Sequence, residues 1–433
     1  MSKVFYSLRF PNFRLWFTGN VFASSATWMQ RVAQDWLVLT VLTDNNGTQL
    51  GIVTALQFLP SLLFAPWGGA IADRVERRRI IQTTQTLTGL CGLILGLLIW
   101  FGHVQLWQVF VLAFFAGCCQ AVDSPSRQAF VSELVPAAHL PNGVALNSMA
   151  FNVARLIGPA VAGLVVEWVG IAQVFFINTL LFAVPVTLMM FMRRENFQPQ
   201  PKAPRAKHRI WQGFSYVGKR PDIMMILVAI GVISAFGLNF QVFSALMATE
   251  AYGMEAGEFG LMSTCQAVGA IIGALAAARR EHPRLQLILK FGLGFGLFLG
   301  CLALAPTYYL YLILSVPMGF FSISVITTAN GAVQISSDPH MRGRVMAIYT
   351  MVFQGVTPLG SPLVGWIADM FGARWSLGVG AIGTAGIAVL IGLWCMVYYR
   401  YRLQLNQETH RLTLARPADR IPAGKQGEGK TQE

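Results

Sequence analysis

The sequence predicts an all-α membrane protein whose twelve spanning helices form two six-helix, pseudo-symmetric halves. Three observations predict it. Of the 433 residues, 55% are hydrophobic and only 12% charged, about half the charged share of a soluble domain. Apolar runs near the 20 residues needed to cross about 30 Å of hydrocarbon recur twelve times. The basic residues, finally, gather on alternate connections only.

The spans lie near 14–42, 50–72, 80–101, 105–126, 143–167, 171–192, 223–246, 258–278, 286–305, 307–330, 343–367 and 373–399. The first follows Arg9 and Arg14 and is too long for a signal core, so no signal peptide is expected. The second ends in the basic turn Arg74 to Arg79, and the fourth closes at Asp123-Ser-Pro-Ser-Arg127. The fifth carries Gly158-Pro159, and Gly170 separates it from the sixth. Residues 193–222 divide six spans from six. They hold Arg193, Arg194, Lys202, Arg205, Lys207, Arg209, Lys219 and Arg220 beside Pro199, Pro201 and Pro204, which reads as a cytoplasmic linker. Within it, Ile210 to Val217 is expected to form a short helix at the membrane interface. The organisation is then 1–192, N-terminal half; 193–222, linker; 223–400, C-terminal half; and 401–433, a polar tail expected to be disordered.

The net charge of +13 does not indicate nucleic-acid binding. Of 32 Lys and Arg, only Arg31, Arg155 and Arg374 fall outside segments that would be cytoplasmic. That bias is the positive-inside rule, and it puts both termini in the cytoplasm of a multi-pass cell-membrane protein. The same charges would attract anionic lipid headgroups. The six cysteines, Cys91, Cys118, Cys119, Cys265, Cys301 and Cys395, lie in or beside spans without metal-ligand spacing. There is no Walker loop, H-E-x-x-H or G-x-S-x-G, so neither an enzyme nor a cofactor is expected. Uphill transport would draw on an ion gradient or another solute.

The halves repeat. A shift of 202 residues sets Gly158 on Gly360, Gly163 on Gly365, Glu167 on Asp369 and Gly170 on Gly372. A second echo pairs Gly51 and Gln57 with Gly260 and Gln266, followed by a worn basic turn at Arg279-Arg280. Duplicated halves around a cavity are a transporter design.

The polar residues within spans carry the functional argument. On the first helix Asn20, Ser24, Thr27, Arg31, Gln34 and Asp35 share a stripe about 100° wide. Such a stripe cannot face lipid, because each unsatisfied group costs kilocalories. Thr350, Gln354, Thr357 and Ser361 make a milder stripe on the eleventh. Arg31 and Asp35 are spaced to pair on one face, and Arg155 sits near the midplane of the fifth span, with Asn152 one turn before it. Two arginines against one aspartate predict a cavity for an anionic or zwitterionic amphipath. Asp35, the one deep carboxylate, is the candidate proton-coupling group.

Gly69-Ala-Ile-Ala-Asp73-Arg74-Val-Glu-Arg77-Arg78-Arg79 resembles the loop signature between helices 2 and 3 of the major facilitator superfamily, G-x-L-A-D-R-x-G-R-R, with Glu76 where Gly is usual. The resemblance implies that superfamily's fold and a cytoplasmic hinge. It also implies that an acidic residue ending helix 4 pairs with an arginine of this loop, here Asp123 with Arg77. Asp73, Arg77, Asp123 and Arg127 then read as a gate latch. Gly158-Pro159-Ala-Val-Ala-Gly163 resembles the antiporter signature of proton-coupled exporters, with Ala154 and Ala162 replacing two glycines. Trp28 to Thr40, Asp123 to Gln128, and Asn147 with Arg155 before Gly-Pro are similar to the transmembrane secretion effector branch, which includes enterobactin exporters and drug:proton antiporters of the third group. That resemblance covers about residues 5–400. It implies a monomeric proton-coupled exporter of a drug-like or siderophore-like small molecule. A lysophospholipid transporter and a non-transporting scaffold or sensor are the alternatives, the scaffold needing neither stripe nor hinge.

The topology is directly checkable. A cysteine at Asn45 is expected to react with an impermeant thiol reagent from outside the cell, and one at Glu76 is not. The reverse labelling pattern overturns the orientation.

Overall fold

The computed structural model describes residues 3–72, 75–198, 209–278, 285–338, 340–398, 402–406 and 411–415. The N-terminal helices are α1 (Pro11–Trp36), α2 (Gly47–Ala72), α3 (Arg77–Trp100), α4 (Leu106–Leu134), α5 (Leu140–Trp168) and α6 (Ile171–Met190). The linker contributes α7 (Arg209–Gly218). Then follow α8 (Pro221–Phe236), α9 (Phe240–Leu246), α10 (Ala256–Ala278), α11 (Leu285–Ala303), α12 (Tyr308–Ser336), α13 (Arg342–Gly355), α14 (Thr357–Phe371) and α15 (Ala373–Tyr398).

Among the described residues, ten helical stretches are long and apolar enough to cross a membrane. The first and eleventh expected spans fall outside that criterion for different reasons. α1 is continuous, but its polar stripe lowers its hydropathy. The eleventh is split at Val356 into α13 and α14, and Pro358 at the start of α14 supplies no N–H to continue the ladder. The seventh is also divided, α8 yielding to α9 around Asn239, whose amide donates to the Ala235 carbonyl at 2.6 Å. The short linker helix expected at Ile210 to Val217 is α7. It packs against α13, with Tyr216 accepting from the Asp338 backbone N–H at 3.2 Å.

In the stretch expected to be disordered, β1 (Arg402–Asn406) pairs antiparallel with β2 (Arg411–Ala415). Leu403 registers on Leu414 and Leu405 on Leu412. The alternation Arg-Leu-Gln-Leu-Asn and Arg-Leu-Thr-Leu-Ala has the period of a strand, a local signal that the stretch's overall polarity obscured.

Within the N-terminal half, α1 packs on α5 and α6, α2 on α4, and α3 on α4 and α6. In the C-terminal half, α10 packs on α12, α11 on α12 and α15, and α8 on α15. The halves join through α2 with α14 and α5 with α10. One end of the bundle carries the linker. There the Ser7 N–H donates to Asn142 Oδ1 at 2.9 Å, Asn12 donates to the Arg193 carbonyl at 2.8 Å, and Arg220 donates to the Ser336 carbonyl at 2.8 Å.

The opposite end is closed by backbone approach. A Cβ on Gly365 of α14 would collide with the Gly47 carbonyl of α2, and one on Gly163 of α5 with the Ala256 carbonyl of α10. Asp369, at the end of α14, accepts from the Gly47 N–H at 2.5 Å and the Thr48 N–H at 2.8 Å, and Thr48 Oγ1 also donates to it. A carboxylate there meets the unsatisfied donors and the positive dipole end of α2. A Cβ on Gly257, in the first turn of α10, would meet the Glu167 carboxylate as one on Gly47 would meet that of Asp369. The residues matched by the 202-residue shift thus make equivalent contacts in the two halves. The turns follow suit. Gly170 (φ 114°) and Gly372 (φ 94°) both take left-handed backbone before the next span, where a side chain would be strained. α1 and α9 each run into a π-helical turn, Leu37–Leu42 and Met247–Ala251, followed by left-handed Asp44 and Asn45 or by Gly253.

Gly365→Ala is expected to hold α2 and α14 apart. Spin labels at Asn45 and Met370 should then report a longer and broader distance distribution than in the parent protein, with thermal stability lowered by about 1–3 kcal/mol. An unchanged distribution shows that this glycine contact does not govern closure.

Candidate functional site

α1 is the organising element. Ala23, Ala26, Val32 and Ala33 are fully buried, small and apolar, and they let α1 sit close to α5 and α6. At Gly158 of α5, a Cβ would lie 2.8 Å from Trp28 Cβ, so Gly158 fixes the indole of α1 against α5. The next residue, Pro159, meets α10 with its carbonyl, where a Cβ on Gly260 would come within 2.6 Å. The helix-5 motif Gly158, Pro159 and Gly163 therefore serves close contact with α1 and α10.

Trp28 stands between two guanidiniums. Arg31 lies over it at 5.2 Å and Arg155 at 5.5 Å, and Arg31 also faces the Phe58 ring at 4.9 Å. A cation over an aromatic face gains about 0.5–2 kcal/mol, most where water is excluded. Asp35, one helical turn beyond Arg31, is 2% exposed. The i,i+4 pair allowed by the sequence is not formed at ion-pair distance. The rings of Trp28 and Phe58 draw the Arg31 guanidinium instead, and Asp35 has no hydrogen-bonded partner among the described residues. Arg31 is nevertheless the charge that acts on Asp35, and Arg155 in turn feels Arg31.

Below this group, toward the linker end, a cavity of about 50 Å³ lies inside the N-terminal half. Thr27, Gln30, Arg31 and Gln34 of α1 line one wall, Gln57 of α2 a second, Gln85 and Thr88 of α3 a third, and Gln120 and Asp123 of α4 the floor. Phe182 of α6 closes it. Gln30 Oε1, Gln34 Nε2, Gln57 Nε2 and Gln85 Oε1 are buried there without a hydrogen-bond partner among the described residues. Each such group left dry costs about 1–3 kcal/mol. A larger groove of about 390 Å³ between α3 and α4 is open and mostly apolar, lined by Ile80, Leu87, Phe115 and Val122. Its lining suits lipid chains.

At the floor, Asp123 is 2% exposed and fully engaged. It accepts from Arg127 Nε at 2.9 Å, from Arg127 Nη2 at 2.7 Å, from Thr84 Oγ1 at 2.7 Å and from Gln85 Nε2 at 3.2 Å. Arg127 also donates to Asn20 Oδ1 at 2.6 Å, and Asn20 donates to Asn147 Oδ1 at 2.8 Å. Asp123 does not meet Arg77. Arg77 instead pairs with Glu133 at 2.5 Å. Helical rise explains the correction. Asp123 is level with Thr84, seven residues or about 10 Å deeper along α3 than Arg77, whereas Glu133 lies at the end of α4. Asp73 and Arg74 lie outside the described residues, as does the surrounding of Gly69, so the rest of the latch is a proposal.

The other expected cavity residues are dispersed. Asn152 donates to its own helix at the Ser148 carbonyl (2.8 Å), Gln354 is exposed, and Thr357 begins α14 just past the break in the eleventh span. The structure thus gathers Asn20, Thr27, Arg31, Gln34, Asp35 and Arg155 around α1 and leaves Gln354 and Thr357 in the other half. The sequence reading passed over Gln30, Gln85, Gln120 and Glu133. Glutamines inside the apolar runs of the first four spans were the available signal, but only packing shows that they converge.

The family defined as the transmembrane secretion effector matches residues 2–416. The chain belongs to that family of major facilitator transporters. The staphyloferrin A transporter of Staphylococcus aureus is 26% identical over 421 residues, covering 95% of this chain and all of the relative. The multidrug efflux pump Tap of Mycolicibacterium fortuitum is 26% identical, covering 79% of this chain and 85% of that one. The enterobactin exporter EntS of Shigella boydii is 24% identical, covering 79% and 82%. In fold, the chain is similar to a POT family transporter solved with a thioalcohol-conjugated peptide (TM-score 0.71, 12% identity, 88% of this chain and 95% of that one). A bacterial homologue of the lysosomal transporter Spinster, in an inward-facing and unoccupied conformation, aligns at 0.66 with 12% identity, over 88% of this chain and 95% of that one. The protein is a multi-pass membrane transporter of small molecules, not an enzyme.

The two ion pairs differ in the burial of their carboxylates, 2% exposed at Asp123 and 19% at Glu133, and this sets an expected ranking. Asp123→Asn leaves Arg127 half-buried without its counter-charge and should cost about 3–5 kcal/mol. Arg77→Ala, at a pair whose side chains are 20% and 19% exposed, should cost about 1 kcal/mol or less. Thermal unfolding in detergent checks the order; equal losses contradict the assigned roles.

Proposed function

We propose that this protein is a proton-coupled exporter of a small drug-like or siderophore-like amphipath, acting as a monomer in the cell membrane. The carrying observation is the buried Asp35 beside Arg31 and Arg155, which share Trp28 within the spans. Charges at this depth mark a transport path more often than a packing role. The relatives named for siderophores and drugs support the substrate class, and the one-sided basic residues support a cytoplasmic linker end with both termini inside. The contacts through Gly365, Gly163 and Asp369 then close the outer end, which supports an inward-facing reading.

Coupling requires that proton and substrate weaken each other's binding. Electrostatics narrows the substrate on this ground. Protonating Asp35 removes a negative charge beside two guanidiniums, which would tighten a purely anionic substrate and give symport. A zwitterion answers the requirement, with its anionic group toward Arg155 and its cationic or hydrogen-donating group toward Asp35. Proton uptake from outside discharges such a molecule; proton loss to the cytoplasm readies the site for the next one.

Two measurements test this reading. Asp35→Asn is expected to abolish pH-driven export from vesicles while retaining counterflow exchange, and accumulation at the parent rate places the proton site elsewhere. In the parent protein, affinity for a zwitterionic substrate is expected to fall as pH is lowered through the Asp35 titration, and that of a purely anionic analogue to rise. Parallel trends refute the assigned contact.

A further inference from the structure

We propose that the glutamine-lined chamber of the N-terminal half holds a file of waters that carries the proton released by Asp35 to the linker end. The inference rests on the reading of Asp35 as the coupling carboxylate.

The chamber asks for a ligand of particular chemistry. Gln30, Gln34 and Gln85 are 9%, 3% and 3% exposed, and each has a side-chain polar atom without a partner among the described residues. Gln57 adds a fourth such atom. Two of these atoms accept and two donate, and turning an amide exchanges one kind for the other without removing either. The ligand must therefore both donate and accept. A metal cation would satisfy only oxygens and would face Arg31. An anion would satisfy only N–H groups and would face Asp123. Water meets all four.

Dimensions agree with a file. The wall from Ala116 to Asp123 on α4 spans seven residues, or about 10 Å of helix. A volume of about 50 Å³ holds about three to five waters at about 10–15 Å³ each in this measure. At about 2.8 Å between oxygens, that number reaches from one end to the other. Gln85 connects the file to the floor, since its Nε2 donates to Asp123 at 3.2 Å while its Oε1 is the unpartnered atom.

The charges give the file a direction. Facing it are Arg31 at the deep end and Asp123, itself paired with Arg127, at the floor. Arg155 acts from α5 through Trp28 and Arg31, and α2, α3 and α6 contribute no charged group to the lining. Asp35 is not itself part of the lining, so its proton enters beside Gln34, the adjacent residue on α1, and once past Arg31 is repelled by it and attracted toward Asp123. The carboxyl loses one proton, the file passes one along, and one reaches solvent at the linker end. With the outer end closed, as here, discharge runs inward.

Occupancy and conduction are tested separately. Microsecond hydroxyl-radical labelling of the purified protein should modify Phe182, which is 2% exposed but borders the chamber. Gln85→Leu and, independently, Gln30→Leu should reduce that labelling. Both should also lower the ratio of pH-driven to exchange flux at least about tenfold. An unlabelled Phe182 in the parent protein overturns the water file. A parent-like flux ratio in both variants overturns its role in proton release while leaving the Asp35 reading intact. Continued pH-driven accumulation by Asp35→Asn removes the proton donor, and the relay falls with it even if Phe182 is labelled.

Discussion

Hydrocarbon offers no hydrogen bonds, so every polar group carried into it must be satisfied within the protein. This constraint shapes the N-terminal half. α1 brings Asn20, Arg31, Gln34 and Asp35 below the membrane surface, and α2, α4 and α5 answer the first two. Asn20 is engaged by Arg127 and Asn147. Arg31 is placed over Trp28 and Phe58. The glutamines of α1, α2, α3 and α4 turn toward one another around an internal chamber. α1 is thereby less apolar than the other spans, and its place is held by packing against α5 and α6 as well as by hydropathy.

The C-terminal half shows what the duplicated design looks like without that chemistry. α10 and α12 approach as α2 and α4 do, through Gly319 on the Gln266 carbonyl where the first half has Gly117 on the Gln57 carbonyl. α11 holds Gln286 and Lys290 in its first two turns and runs on from there as an apolar helix, where α3 still carries Gln85 and Thr88 beyond its second turn. Equivalent contacts at Gly163 and Gly365, with carboxylates at Glu167 and Asp369, close the far end in both halves. One repeat supplies the charges, and both supply the gate. Such a division lets the halves move against each other about a common seam while the buried charges stay within one of them.

Closing the gate costs little desolvation. Asp369 is exposed and bonds backbone N–H groups at the start of α2. Its partners are the free donors that begin any helix, so opening exchanges them for water instead of stranding a buried charge. Among the described residues, the ties at the linker end include Arg77 with Glu133 in the N-terminal half and Arg220 of the linker with Asp222 and with Ser336 of the C-terminal half. Ties within a half do not resist separation of the halves.

The sequence by itself determined the membrane class, the spans, the duplication, and α1 as the bearer of polar residues. Each of these is a local or periodic property: length of apolar run, spacing of glycines, 100° stripes. It also marked Arg31, Asp35 and Arg155, because ionisable groups inside apolar runs stand out one residue at a time. Only the tertiary structure decided who meets whom. It set Asp123 against Arg127, Thr84 and Gln85, with Arg77 left to Glu133, because depth along packed helices fixes partners and sequence separation does not. It kept Arg31 and Asp35 apart, because aromatic rings from α1 and α2 compete for the guanidinium. It assembled five scattered glutamines into one chamber, since convergence from four helices has no signature along a single chain.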